Sequence, residues 1–118
     1  MESDKKDVYA IQTSSGLMLV FAERILLFDY SKEDRCWQML LTDNGKPQNL
    51  RQSTTARELL AIGDMLVQIS QECIVNLNYV STIENGSLLC RFYPPYEMIE
   101  RTASRRYFQK IRERLEIF

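Results

Sequence analysis

Short apolar runs set off by turn residues recur along most of this chain, and only its last stretch changes period. Asp7–Gln12 and Leu17–Ala22 read as strands around Thr13-Ser14-Ser15-Gly16, a plausible hairpin turn. Ile25–Tyr30 is apolar without interruption, which predicts a strand buried on both faces. After the polar loop Ser31-Lys32-Glu33-Asp34-Arg35, a strand is expected over Cys36–Thr42. Asp43-Asn44-Gly45 then turns the chain into a strand near Gln48–Gln52. Met65–Ser70 and Cys73–Leu77 are expected strands around Gln71-Glu72. Tyr79–Glu84 and Ser87–Tyr93 form a hairpin with a type I′ turn expected at Asn85-Gly86. Pro94-Pro95 breaks that run, and Tyr96–Thr102 reads as a last strand, an edge able to pair with a partner.

Two helices interrupt the strands. Thr55 with Glu58 three residues on is a capping box, Leu59, Leu60 and Ile62 follow, and Gly63 reads as the stop. From Ser104 the period is helical: Tyr107, Phe108, Ile111, Leu115 and Phe118 share one face, expected to pack on a sheet. Arg106, Lys110 and Arg114 line one edge of that face, Arg105 and Arg112 the other. The pattern is all-β, with many short antiparallel strands and two short helices.

The start of the second helix is unusual in its charge. Ser104 can cap it, but the next two residues are arginines where carboxylates normally complement the helix dipole. Each cation there costs roughly a few tenths of a kcal/mol unless an anion compensates. Two readings stand: solvated charges on an amphipathic helix, or a phosphate site of free N–H groups and guanidinium forks.

Net charge is only −1, but its distribution is uneven. Residues 1–34 carry four Lys/Arg against seven Asp/Glu, whereas residues 101–114 carry six against one. Such asymmetry points to one anion-binding face, not a generally basic protein. The absence of histidine removes Ser-His and Cys-His arrangements and the usual zinc sets. Cys36, Cys73 and Cys90 are widely spaced in apolar stretches, so buried free thiols are expected, with no metal. The chain is long enough to bury one core without disulfides. It contains no run suited to a membrane span and no signal peptide, so a cytoplasmic protein is expected. Neither a nucleophile–base pair nor usefully spaced carboxylates can be assembled, so no catalytic residue, cofactor or small-molecule substrate is expected.

Leu66-Val67-Gln68-Ile69-Ser70-Gln71-Glu72-Cys73-Ile74-Val75-Asn76-Leu77-Asn78-Tyr79-Val80 resembles the central signature of LytTR-type DNA-binding domains. Ala103-Ser104-Arg105-Arg106-Tyr107-Phe108-Gln109-Lys110-Ile111 is similar to that family's closing Ser-Arg-Arg helix start. Ile25-Leu26-Leu27-Phe28-Asp29 resembles its opening strand, which often ends on an acidic residue. The likeness spans roughly Asp7 to Leu115. It implies a mainly β, elongated fold of about ten short antiparallel strands in stacked sheets, with one internal and one C-terminal helix. Residues 7–118 would form one domain behind a flexible segment 1–6.

The resemblance also implies double-stranded DNA read by loops in successive major grooves. By position, base contacts fall on Arg35, Gln71 and Arg106, and phosphate contacts on Ser70, Ser104, Arg105 and Lys110. The chemistry suits these roles, since Arg pairs bidentately with guanine and Gln with adenine. Paired repeat sites, two protomers side by side and bent DNA are the family's habit. In the middle loop the family usually carries a basic residue or histidine before a small polar one. Here it holds Gln71-Glu72, and Glu33 and Asp34 flank Arg35. These carboxylates either sharpen sequence choice or weaken binding. Asn76 is expected to cap a turn toward Tyr79 and not to touch DNA. Fewer than about ten residues precede the first expected strand, leaving no room for a receiver domain. Either the chain acts alone as a transcriptional regulator, or it is a piece of a longer one. The alternative is a β-domain of this fold without DNA binding, serving as a protein-interaction module.

Overall fold

A continuous apolar strand needs cover on both sides, and Ile25–Ser31 receives it at the centre of a five-stranded sheet. The structure, a computed structural model, describes residues 8–118. Ten strands lie among these residues: β1 (Val8–Gln12), β2 (Leu17–Phe21), β3 (Ile25–Ser31), β4 (Cys36–Leu41), β5 (Gln48–Asn49), β6 (Leu66–Ser70), β7 (Cys73–Asn76), β8 (Val80–Ile83), β9 (Leu89–Phe92) and β10 (Glu100–Thr102). Two helices join them, α1 (Ala56–Leu60) and α2 (Arg105–Arg114). The expected flexible segment 1–6, and Asp7 as the first strand residue, lie outside the described residues.

All pairing is antiparallel, in sheets ordered β1-β2, β10-β9-β8 and β5-β4-β3-β7-β6. The five-stranded sheet is the middle layer. On one face Ile25, Phe28, Trp37, Met39 and Ile74 pack with Ile11 and Val20 of the β1–β2 hairpin and Leu59 of α1. On the other, Leu27, Val67, Ile69 and Val75 pack with Cys90 and Phe92 of the three-stranded sheet and Ile111 of α2. A bulge between Ile25 and Leu27 lets the neighbours Leu26 and Leu27 serve the same cluster. The chain is thus mainly β, as expected. Its extents of 46 × 40 × 27 Å describe a flattened slab, not an elongated body.

Four local expectations need correction. Gly86 has positive φ but Asn85 does not; Leu88 does, at φ 60°, so the turn is not type I′. Leu88 is buried in the core, and this burial holds it in a backbone state that favours glycine. Of Tyr96–Thr102 only Glu100–Thr102 is strand. Tyr96 N–H donates to Tyr93 O and Ile99 N–H to Tyr96 O, so successive turns occupy the rest. The α1 capping box is present in full, but the helix ends at Leu60 on a right-handed Ala61 cap, before Gly63. Finally, α2 stops at Arg114, where Leu115 turns extended, so Leu115 and Phe118 are exposed and the packed face is Phe108 and Ile111.

The three cysteines are buried and unbridged. Burial pushes each thiol up, Cys90 to about 11, with Asp29 adding to the effect at Cys73 and Asp34 at Cys36. The unfolded chain therefore releases thiol protons above about pH 9 that the folded chain retains, and stability falls as pH rises from there. Thermal unfolding between pH 8 and 11 should show this fall, and Cys90→Ala should reduce it without abolishing it, since Cys36 and Cys73 remain.

Candidate functional site

Three segments meet along one end of the middle sheet: the β3–β4 loop, the β6–β7 turn and the start of α2. Sheet pairing brings the first two together, because Asp29 of β3 stands opposite Cys73 of β7. One residue on, Tyr30 N–H donates to Glu72 O at 2.8 Å. Across the same gap Lys32 Nζ lies 3.1 Å from Glu72 Oε2. The third segment is bolted on by the backbone, Ser104 N–H donating to Ile69 O at 2.8 Å.

Arg35 closes the β3–β4 loop in a left-handed conformation, φ 56°, with its side chain exposed. Asp34 Oδ2 accepts from Gln38 Nε2 at 3.4 Å, which turns that carboxylate back along β4. Gln71 sits exposed at the tip of the two-residue turn between Ser70 and Cys73. Ser70 Oγ accepts from the Glu72 N–H at 3.2 Å, so the hydroxyl shapes the turn and keeps its own O–H as a donor. Ser104 caps α2, its Oγ accepting from the Tyr107 N–H at 3.3 Å.

Tyr107 stands between two clefts. On one side Ser70, Gln71, Glu72, Ser104 and Arg106 share a shallow cleft with it. On the other, Lys110 and Arg114 line a groove with Leu60, Asp64 and Gln68. The Arg106 guanidinium is 5.8 Å and the Lys110 ammonium 5.3 Å from the Tyr107 ring centre, so the aromatic face orients both cations. Gln71, Arg106, Ser70 and Ser104 are therefore brought together. Lys110 faces the second groove, Arg105 is exposed beside Arg106, and Arg35 lies in the loop joined to Glu72 through Lys32.

The basic segment 101–114 divides into spent and available cations. Arg101 forks onto Asp29, with Nη2–Oδ2 at 2.8 Å and Nε 3.1 Å from both oxygens. Arg114 donates to Asp64 O at 2.6 Å. Among the described residues Arg35, Arg105, Arg106 and Lys110 form no ion pair. The charge of Glu72, the residue least suited to an anion, is offset by Lys32. That exposed pair is worth at most about 1 kcal/mol and weakens with salt.

Sequence reasoning missed Lys32, because nothing local links it to a glutamate forty positions on. It also took Tyr107 as core alone, although the residue is only partly buried and its ring lies near both cations. Asn76 caps the turn toward Tyr79 as expected, Oδ1 accepting from Asn78 N–H at 2.9 Å, and its Nδ2 also donates to Ile25 O at 2.8 Å. Compared with known proteins, the chain matches no family model and no curated protein at a significant level.

Proposed function

We propose that this chain is a sequence-specific double-stranded DNA-binding domain of the LytTR type, acting in transcriptional regulation. The carrying observation is the shared cleft of Gln71 and Arg106, 35 positions apart in sequence, at the sheet end that also holds the Arg35 loop. A guanidinium fork and a carboxamide on one exposed edge offer donors and an acceptor to base edges in a major groove. Arg105, Lys110, Ser70 and Ser104 would hold phosphates around them. The Gln71–Arg106 cleft and the neighbouring Arg35 loop would make adjoining contacts along one DNA face, and paired repeats would seat two protomers.

Selection from a pool of random duplexes, repeated over a salt series, tests this. The expected result is one enriched motif and an affinity falling steeply with salt. Arg106→Ala should weaken binding by about 1–3 kcal/mol and relax preference at a single base position. Arg105→Ala should weaken binding to all sequences alike and reduce the salt slope by about one. Enrichment of no motif even at low salt overturns the DNA reading. The interaction module then stands, favoured by Glu33 and Asp34 beside Arg35.

A further inference from the structure

The β1–β2 hairpin is apolar on both faces, and only one is covered. Tyr9, Ile11, Met18 and Val20 point inward to the middle sheet. The cross-strand pairs Val8–Phe21, Ala10–Leu19 and Gln12–Leu17 form the outer face, five of whose six side chains are apolar. Val8 is 39%, Leu17 62%, Leu19 72% and Phe21 47% exposed, so much of this face is open to solvent among the described residues. A strand apolar on both sides is the pattern of a sheet covered on both sides.

We infer that this outer face is a two-fold interface with a second copy of the chain. The area supports it. The four large side chains leave on the order of 400 Å² of apolar surface, the size of the largest patch on a typical protein surface, which is often functional. With apolar atoms making up roughly 60% of an interface, that corresponds to about 700 Å² per partner, close to the ~800 Å² of a standard stable interface. The face carries no charge, so it selects a partner equally uncharged, and a second hairpin supplies one with matching dimensions. Residues 1–7 offer only Met1 as an apolar side chain. An anionic membrane is disfavoured as well, because residues 1–34 hold seven acidic against four basic side chains. On either side Phe21 borders a cleft, one of 570 Å³ with Met65 and Ala61 and one of 270 Å³ with Leu41, which extend the surface a partner can fill.

This interface is independent of DNA, and so is its test. Light scattering on the purified chain without DNA, over a low- to high-micromolar series, should show a monomer–dimer transition. Leu19→Lys should raise the dissociation constant by at least about 100-fold, since the dimer would bury unpaired ammonium groups. Leu17→Glu should do the same from a different position, and decides the matter should Leu19→Lys fail to fold by circular dichroism. A wild type that stays monomeric throughout, or vesicle binding by a monomer, overturns the inference. So does a dimer that both folded variants leave unchanged.

Discussion

Asn76→Leu is expected to destabilise the fold by about 3 kcal/mol, because one side chain satisfies two separate backbone groups. Asn76 is 2% exposed; its Nδ2 donates to Ile25 O, 51 positions away, and its Oδ1 accepts from Asn78 N–H. Leucine fills much the same volume and removes both partners. The Ile25 carbonyl then loses its bond within the buried core, at roughly 1–3 kcal/mol for a buried group left unpaired, and the exposed Asn78 loses the cap on its N–H. Urea denaturation should show the lower midpoint with an unchanged slope, and melting should fall by about 10–15 °C. Asn76→Asp separates the two bonds. An ionised aspartate keeps the acceptor but faces the Ile25 carbonyl with negative charge, so its folded pKa is raised above the unfolded value of about 3.9. Protonation restores a donor, so this variant should recover stability relative to wild type as pH falls from about 7 toward 4. A deficit independent of pH would show that the Ile25 bond contributes little.

The second large effect is expected at Arg101, which joins the three-stranded sheet to β3. Its fork holds Asp29, whose side chain is 26% exposed, and hydrogen bonding to that carboxylate raises the Arg101 pKa further. Arg101→Met leaves a largely buried carboxylate without its counter-ion, at a cost of about 3 kcal/mol. Arg101→Lys should recover part of this, since an ammonium cannot reproduce the planar fork. Combining Arg101→Met with Asp29→Leu should cost clearly less than the sum of the single changes, which chemical denaturation of the four proteins of the cycle would measure. Additive losses would mean that the pair is not coupled and that packing alone joins the sheets.

Much of the fold follows from local signals. The hairpin at Thr13–Gly16, the buried β3, the Thr55–Glu58 box and the Ser104 cap each follow from patterns within a few residues, where backbone sterics and near hydrogen bonds act. Arg101 shows where such signals stop. By position it belongs to a basic segment, yet its partner lies 72 residues earlier, and pairing with Asp29 withdraws it from any anion-binding face. The Asp43-Asn44-Gly45 turn forms with Asn44 at φ 63°, whereas Asn85-Gly86 does not adopt its usual form because burial of Leu88 dictates the path.

By itself the sequence determined the succession of most strands along the chain, the two helix starts and an uneven charge distribution, since these depend on side-chain period and short-range hydrogen bonding. Tertiary structure decided which cations remain unpaired, that Gln71 and Arg106 share one cleft, that Lys32 offsets Glu72, and that one apolar face of the first hairpin has no cover within the described residues. These are contacts between residues tens of positions apart. Their energy depends on sheet register and layer packing, and neither period nor composition carries that information.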